Sequence, residues 1–249
     1  MKNPFSLEGK RVLVTGAASG IGRCTAIKAS EMGATLVLVD LNEERMEETM
    51  SMLAPGNHSM FAADLTQMEN LEKLATSIES LDGLVNCAGI GLTLPFKFCG
   101  ADELKRVMAI NFFAPVLLTQ TLVRKKKINK GASIVYMASI DGTVTGHIGN
   151  SMYSATKGAI LGSVRSQALE MAARGVRVNC VSPARVNTPL IQNRANISAE
   201  QVKANMELYP MKRYAEPEEI AYYIIYLLSD TSTYTTGSNL IIDGGFTIS

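Results

Sequence analysis

Short runs of aliphatic and β-branched residues recur along the chain, and stretches with helical spacing separate them. The runs fall at 11–15 (RVLVT), 35–39 (TLVLV), 83–86 (GLVN), 132–137 (ASIVYM), 176–181 (VRVNCV) and 240–242 (LII), with a weaker one at 59–63. Helical spacing fills 21–32, 43–53, 71–78, 103–123, 154–173 and 218–228. Strands that are apolar throughout are covered on both faces, and strands alternating with helices make βαβ crossovers. The expectation is an α/β fold with a doubly wound parallel sheet of about seven strands and helices on both faces. No linker or composition break divides residues 1–249, which read as one domain. The least regular stretch, 187–214, is polar and without a strand run. A loop or helical flap of that size usually carries function.

The first run enters Gly16-Ala-Ala-Ser-Gly20-Ile-Gly22 and then a helix. Glycines at a first strand-to-helix turn let the backbone approach a pyrophosphate, whose charge meets free N–H groups and the positive end of the helix dipole. Gly16, Ser19, Gly20, Ile21 and Gly22 are therefore candidate dinucleotide ligands on a Rossmann-type sheet. The alternative is a turn whose glycines serve strand–helix packing alone. It is not a P-loop, since Arg23-Cys24 stands where Gly-Lys-Ser/Thr would follow. Asp40 ends the second run, where a carboxylate accepts hydrogen bonds from a ribose and repels a 2′-phosphate. Asp40 or Asn42 would otherwise serve as a helix cap. Neither Ser19 nor Leu41 offers a cation, so NAD is favoured over NADP.

Tyr153 and Lys157 are spaced i, i+4 and share a helix face. Alone the pair fits a surface contact. Ser139, just beyond the run ending at Met137, adds a hydroxyl at a strand carboxyl end, where ligands sit in such sheets. Together the three suit hydride chemistry, which needs a group that moves the alcohol proton. A free phenol with a pKa near ~10 is a poor base at neutral pH, and a close ammonium favours its phenolate form. Ser139 would orient the substrate oxygen.

In this order, Gly16–Gly22, Asp40, Asn86-Cys-Ala-Gly89, Asn111, Ser139 and Tyr153/Lys157 closely resemble the classical short-chain dehydrogenase/reductase family, from Lys10 to Gly245. The resemblance implies an NAD(H)-dependent oxidoreductase interconverting a secondary alcohol and a ketone. It implies that Asp64 and Leu65 flank the adenine, and that Asn86, Ala88 and Gly89 support the sheet beside the cofactor. It further implies that Asn111 holds a relay water, Asn179 is structural, and Pro183, Val186 and Thr188 sit by the nicotinamide. The closing Ile242-Asp-Gly-Gly245 implies a homo-oligomer, tetramer or dimer. Two positions depart from the family pattern: Cys87 replaces a second asparagine, and Ala184 replaces the glycine after Pro183. Alanine is free there at negative φ and strained at positive φ.

By the same analogy the substrate, a small alcohol or ketone, meets 91–96, 140–152 and the flap. Asp141, Arg185 and Leu190 are the candidate substrate residues, with Leu92, Leu94, Phe96, Ile148, Met152 and Ile191 lining the pocket or serving as core. Arg185 is a candidate partner for an anionic group, or else a solvated or ion-paired arginine. His147 reads as a loop histidine. The basic run 124–127 with Lys130 fits a solvated helix end. Alternatively, with Arg174, it resembles the carrier-protein contact of 3-oxoacyl-carrier-protein reductases. Those enzymes usually use NADPH, for which neither Ser19 nor Leu41 offers a cation. A catalytically silent dinucleotide-binding scaffold or redox sensor is the alternative of another class, although it has no chemical reason to retain Asn111, Ser139, Tyr153 and Lys157 together.

Charge excludes other partners. With 24 basic and 23 acidic residues, nothing in the net charge of +1 points to nucleic acid or an anionic membrane. Four scattered cysteines without a CxxC pair, and two histidines, argue against a metal site or a disulfide framework. No signal-peptide pattern opens the chain, and the uncharged stretch 109–123 is too short to span a bilayer. A soluble cytoplasmic protein is expected.

Overall fold

The computed structural model describes residues 3–189 and 199–249. A strand forms at each of the expected runs: β1 (Arg11–Thr15), β2 (Thr35–Asp40), β3 (Ser59–Ala62), β4 (Leu81–Asn86), β5 (Ile128–Met137), β6 (Arg177–Pro183) and β7 (Asn239–Ile242). They pair in parallel in the order β3-β2-β1-β4-β5-β6-β7. The winding direction reverses between β1 and β4, the switch point at which such a sheet opens a crevice beyond its strand carboxyl ends.

The uniformly apolar runs are explained by the two cores they feed. Val12 and Val14 point into one cluster and Leu13, between them, into the other. On the first face they meet Ala26 and Ala29 of α1 (Gly20–Glu31), Met46 of α2 (Glu43–Ser51), and Ile220, Ile224 and Leu227 of α8 (Pro217–Leu228). On the second, Leu71 and Leu74 of α3 (Met68–Ser77), Leu118 and Leu122 of α5 (Ala114–Arg124), and Ile160 and Val164 of α6 (Ser151–Met171) form the layer.

Two segments differ from the sequence reading. β5 begins before the run at 132–137, because Ile128 pairs with Leu81 and the ladder then slips in register before Gly83 and Ser133. Gly131, at φ +78°, supplies a left-handed residue inside this irregular stretch. The helix expected over 103–123 is two helices, α4 (Ala101–Met108) and α5, joined by a π turn at Ala109–Phe113. Asn111 lies in that turn, and Pro115 has no N–H to give the Asn111 carbonyl four residues back. The whole stretch Ala101–Arg124 is long and apolar enough to cross a membrane by length and composition, longer than the 109–123 run suggested. In the fold Val107, Leu118 and Leu122 are fully buried.

The flap is tied at its base. Val186 bridges Ala215, with Asn187 N donating to the Ala215 carbonyl at 2.8 Å and Ala215 N to the Arg185 carbonyl at 3.0 Å. Between them lies α7 (Ala199–Met206), followed by the buried Tyr209 and Tyr214. Leu190 and Ile191 fall outside the described residues.

Candidate active site

A cavity of about 450 Å³ runs beyond the carboxyl ends of β1 to β6. The turn after β1 contributes Gly16, Ser19, Gly20, Ile21 and Gly22 to its wall. The packing reading of this turn holds at two of its glycines. A side chain on Gly22 would lie 2.2 Å from the Gly16 carbonyl oxygen, and one on Gly16 would lie 2.8 Å from Ala88 N at a φ of +68°. These two serve close packing. Gly20, at φ +55°, faces Thr188, whose methyl group would be 3.3 Å from an added Cβ. No side-chain oxygen caps the first turn of α1 at Ser19, so its N–H groups face a wall open to an anion.

Asp40 and Leu41 line the cavity at the end of β2. Asn42 is the cap of α2, accepting from Arg45 N at 2.9 Å, so Asp40 is released from capping. Its carboxylate accepts instead from Ala18 N at 3.1 Å and Asn42 N at 3.0 Å, which turns it toward the glycine loop. Leu41 is 73% exposed. Among the described lining residues the side chains able to carry positive charge are His147, Lys157 and Arg185, none of them beside Asp40 in sequence. Asp64 and Leu65 line the wall after β3. The Asp64 carboxyl is held below its ordinary range by hydrogen bonds from the Thr66 hydroxyl and N–H.

After β4, Cys87, Ala88 and Gly89 line the wall, and Ala88 N donates to Thr15 Oγ1 at 3.1 Å. Burial pushes the Cys87 thiol up to about 12, so this departure from the family pattern is a neutral packing group. Asn86 and Asn111 lie behind the wall rather than in it. Asn86 donates to Thr119 Oγ1 at 3.3 Å. The Asn111 amide is spent on Ile90, accepting from its N–H at 2.8 Å and donating to its carbonyl at 2.9 Å. Pro115 has no N–H to offer the Asn111 backbone carbonyl.

Ser139, Tyr153 and Lys157 meet at the same cavity. The Lys157 ammonium is buried, donates to the Met137 carbonyl at 2.8 Å and sits 5.6 Å from the Tyr153 ring centre. Burial brings its pKa down to about 8. Ser139 Oγ accepts from Asp141 N at 3.2 Å, which leaves its own proton to donate elsewhere.

Pro183, Arg185, Val186 and Thr188 complete the lining after β6. Ala184 N donates to the Ile242 carbonyl at 2.9 Å. Among the described residues the non-glycine positions with positive φ are Lys126 and Lys212, so alanine at 184 carries no backbone strain. Asn179 is structural, bridging the Thr235 carbonyl and Ser238 N.

The far end was the least legible. Asp141 is buried, and its carboxylate accepts from His147 Nδ1 and, at 2.6 Å, from Asn150 Nδ2. Burial raises its pKa, but these hydrogen bonds and the charges of His147 and Arg185 win and hold it low. His147 stacks on Phe246 at 5.4 Å, and Phe246 packs on Tyr209 at 4.9 Å. Asn150 and Tyr209 fall within the stretches 140–152 and 187–214 expected to meet the substrate, although no motif singles them out, and Phe246 lies outside both. In contrast, Phe96 and Ile148 stand 79% and 98% exposed, and Leu92, Leu94 and Met152 are absent from the lining. Leu94 N bonds the Gly149 carbonyl at 2.8 Å and Thr93 Oγ1 bonds Asn150, so the two loops knit together and their tips project outward.

The basic run is largely engaged within the fold. Arg124 and Lys125 both pair with Glu72, Lys127 donates to the Ile78 carbonyl at 2.6 Å, and Arg174 to the Ile128 carbonyl at 2.5 Å.

A family model described as enoyl-(acyl carrier protein) reductase matches residues 16–247. The chain is 33% identical over 245 residues to the dehydrogenase/reductase SDR family member 6 of Rattus norvegicus, covering 97% of this chain and 99% of the relative. It is 32% identical over 248 residues to the 3-oxoacyl-(acyl-carrier-protein) reductase FabG of Thermotoga maritima, covering 97% and 99%. Its fold is similar to a crystal structure of a short-chain dehydrogenase/reductase, a glucose/ribitol dehydrogenase from Brucella melitensis, with a TM-score of 0.90 and 30% identity over 98% of this chain and 99% of that one.

Proposed function

The chain belongs to the short-chain dehydrogenase/reductase family, oxidoreductases that use NAD or NADP, and on that premise we propose that it interconverts a secondary alcohol and a ketone with NAD(H). The observation that carries this reading is the placement of the buried Lys157 ammonium beside Tyr153, across one cavity from Ser139 and continuous with the glycine turn. The cavity suits a dinucleotide: an uncapped helix start, a carboxylate at the end of β2 and an ammonium deeper in. Gly20 and the α1 N–H groups would hold its pyrophosphate, Asp40 its adenosine ribose, and Thr188 its carboxamide. When bound, the cofactor supplies a hydride acceptor or donor.

The chain's own residues handle the proton and the geometry. Ser139 donates to the substrate oxygen and fixes its position. Tyr153 takes the alcohol proton at its phenolic oxygen in oxidation and returns it in reduction. Lys157 has three donors and spends one on Met137; the others would serve the phenol and the ribose. Its charge stabilises phenolate more strongly for being out of water. Asn111 acts through its backbone carbonyl, with its side chain as the bolt that holds the π turn to Ile90.

Asp40 and the lack of a lining cation near it support NAD over NADP. The FabG relative favours a second reading, reduction of an acyl-carrier substrate, although most of the cations that would meet a carrier protein are engaged internally. Titration with a carrier protein at low and moderate salt decides between them. A homo-oligomer is supported by the exposed Tyr222 and Tyr223 of α8 and Ile241 of the edge strand β7. The experiment for the main reading is NAD and NADP turnover across secondary alcohols and ketones. Expected is oxidation or reduction of at least one pair with NAD preferred. Tight NADH binding with no turnover anywhere would leave a silent dinucleotide-binding protein.

A further inference from the structure

We infer that the substrate of this dehydrogenase carries a carboxylate and that Arg185 receives it, an inference that rests on the reading above for the reaction but not for the anion. Arg185 lines the cavity, half-buried. Its guanidinium lies 5.8 Å from the Tyr214 ring centre, and Nη1 is 3.4 Å from the Tyr214 hydroxyl. Among the described residues no carboxylate pairs with it, although three share its surroundings. Each of those three is occupied. Asp141 is held by His147 and Asn150. Glu219 grips Arg213 through both oxygens, at 2.6 and 2.7 Å. Asp243 accepts from Gly245 N, Thr247 N and the Thr247 hydroxyl. The flap stretch 190–198, LIQNRANIS, contains no acidic residue that could serve instead.

The contrast with neighbouring cations sharpens the point. Arg213 has Glu219 and Lys212 has Glu207, whereas Arg185 alone of the three faces the reaction cavity, its guanidinium 5.8 Å from the centre of an aromatic ring. A guanidinium held at Tyr214, half out of water and in no salt bridge, with Asp141 acting on it only through space, keeps a donor fork matched to a planar carboxylate. A phosphate dianion would ask for a second free cation. Since Arg185 and the Ser139–Tyr153 pair share one cavity, the reacting carbinol and the acid belong to one small molecule, a hydroxy acid or its keto acid.

The test compares hydroxy acids of four to six carbons, with the hydroxyl at carbon 2, 3 or 4, against their methyl esters, in wild type, Arg185→Gln and Arg185→Lys. For the best acid, wild type is expected to prefer acid over ester at least about tenfold in kcat/KM. Arg185→Gln should bring that ratio near one, and Arg185→Lys should restore part of it. A second arm titrates butanoate, which cannot react, into NADH-loaded Tyr153→Phe protein with and without Arg185→Gln. Binding should weaken at least about tenfold when the arginine is lost. Equal handling of acids and esters by wild type, or an acid:ester ratio unmoved by Arg185→Gln, overturns the inference while leaving the dehydrogenase intact. If no alcohol or ketone reacts at all, the dehydrogenase reading fails. Butanoate binding through Arg185 would still uphold the anion site, and its absence would sink it.

Discussion

The two halves of the cavity are built by different means. The half proposed for the nucleotide consists of turns that leave β1, β2 and β4, built from backbone N–H groups and glycines with no room for a side chain. The half proposed for the substrate is lined by side chains from distant segments, Asp141, His147, Asn150, Arg185 and Tyr209, held by hydrogen bonds and by ring contacts with Phe246 behind them. Strand ends are fixed by the sheet, so the first half tolerates little change. The second is adjustable one residue at a time without disturbing the sheet, which is how one scaffold can take different substrates.

Substitutions break or sharpen this contrast. The largest effect is expected at Gly22→Ala, whose Cβ would lie 2.2 Å from the Gly16 carbonyl oxygen. Backbone on both sides cannot yield cheaply, so the variant should lose more than about 3 kcal/mol of stability, together with NADH binding. Denaturant unfolding and NADH titration check both, and a native-like variant would show the turn to be slack.

Lys157 comes next, through pH. Its folded pKa of about 8 lies below the unfolded value of 10.5, so in that window the unfolded chain binds more protons and stability rises with pH. Relative to Lys157→Met, wild type should gain roughly 2 to 3 kcal/mol between pH 7 and 10. Buried thiols such as Cys87 act in the opposite sense at the upper end, which is why the difference between the two proteins is the quantity to measure. Parallel stability curves would contradict the buried ammonium.

At Asp40→Asn one of the two backbone N–H groups, Ala18 or Asn42, keeps its acceptor and the charge is lost. The kcat/KM ratio of NAD to NADP should fall about 10- to 30-fold; an unchanged ratio would mean that selectivity lies elsewhere. The smallest effect belongs to the adjustable half. Asn150→Ala removes the 2.6 Å hydrogen bond to Asp141 and should lower kcat/KM about tenfold with the NADH Kd unmoved. Weakened NADH binding there would erase the distinction between the halves.

The same division decided what could be read from the amino acids. Uniformly apolar runs announced the parallel sheet because every strand has to satisfy two cores, and the glycine spacing announced the first turn because sterics forbid anything else at Gly16 and Gly22. Tyr153 and Lys157 were visible because one helix turn joins them. The π turn was not, since it depends on Asn111 reaching Ile90 and on the missing N–H of Pro115. Nor was the packing behind the wall of Phe246, which meets His147 only once β7 has brought the chain end back over the sheet. Phe96 and Ile148 misled because apolarity alone does not distinguish a pocket from an outward loop tip.

The claim on which all of this turns is that Tyr153 exchanges a proton beside a bound nicotinamide. It is tested most directly by mixing ketone with NADH deuterated at the transferable position and following the label into the alcohol, in wild type and in Tyr153→Phe. The account predicts transfer by wild type and a rate lower by at least about a thousandfold in the variant, with an NADH Kd within a few-fold of wild type. Transfer at a near-native rate without the phenol would contradict it.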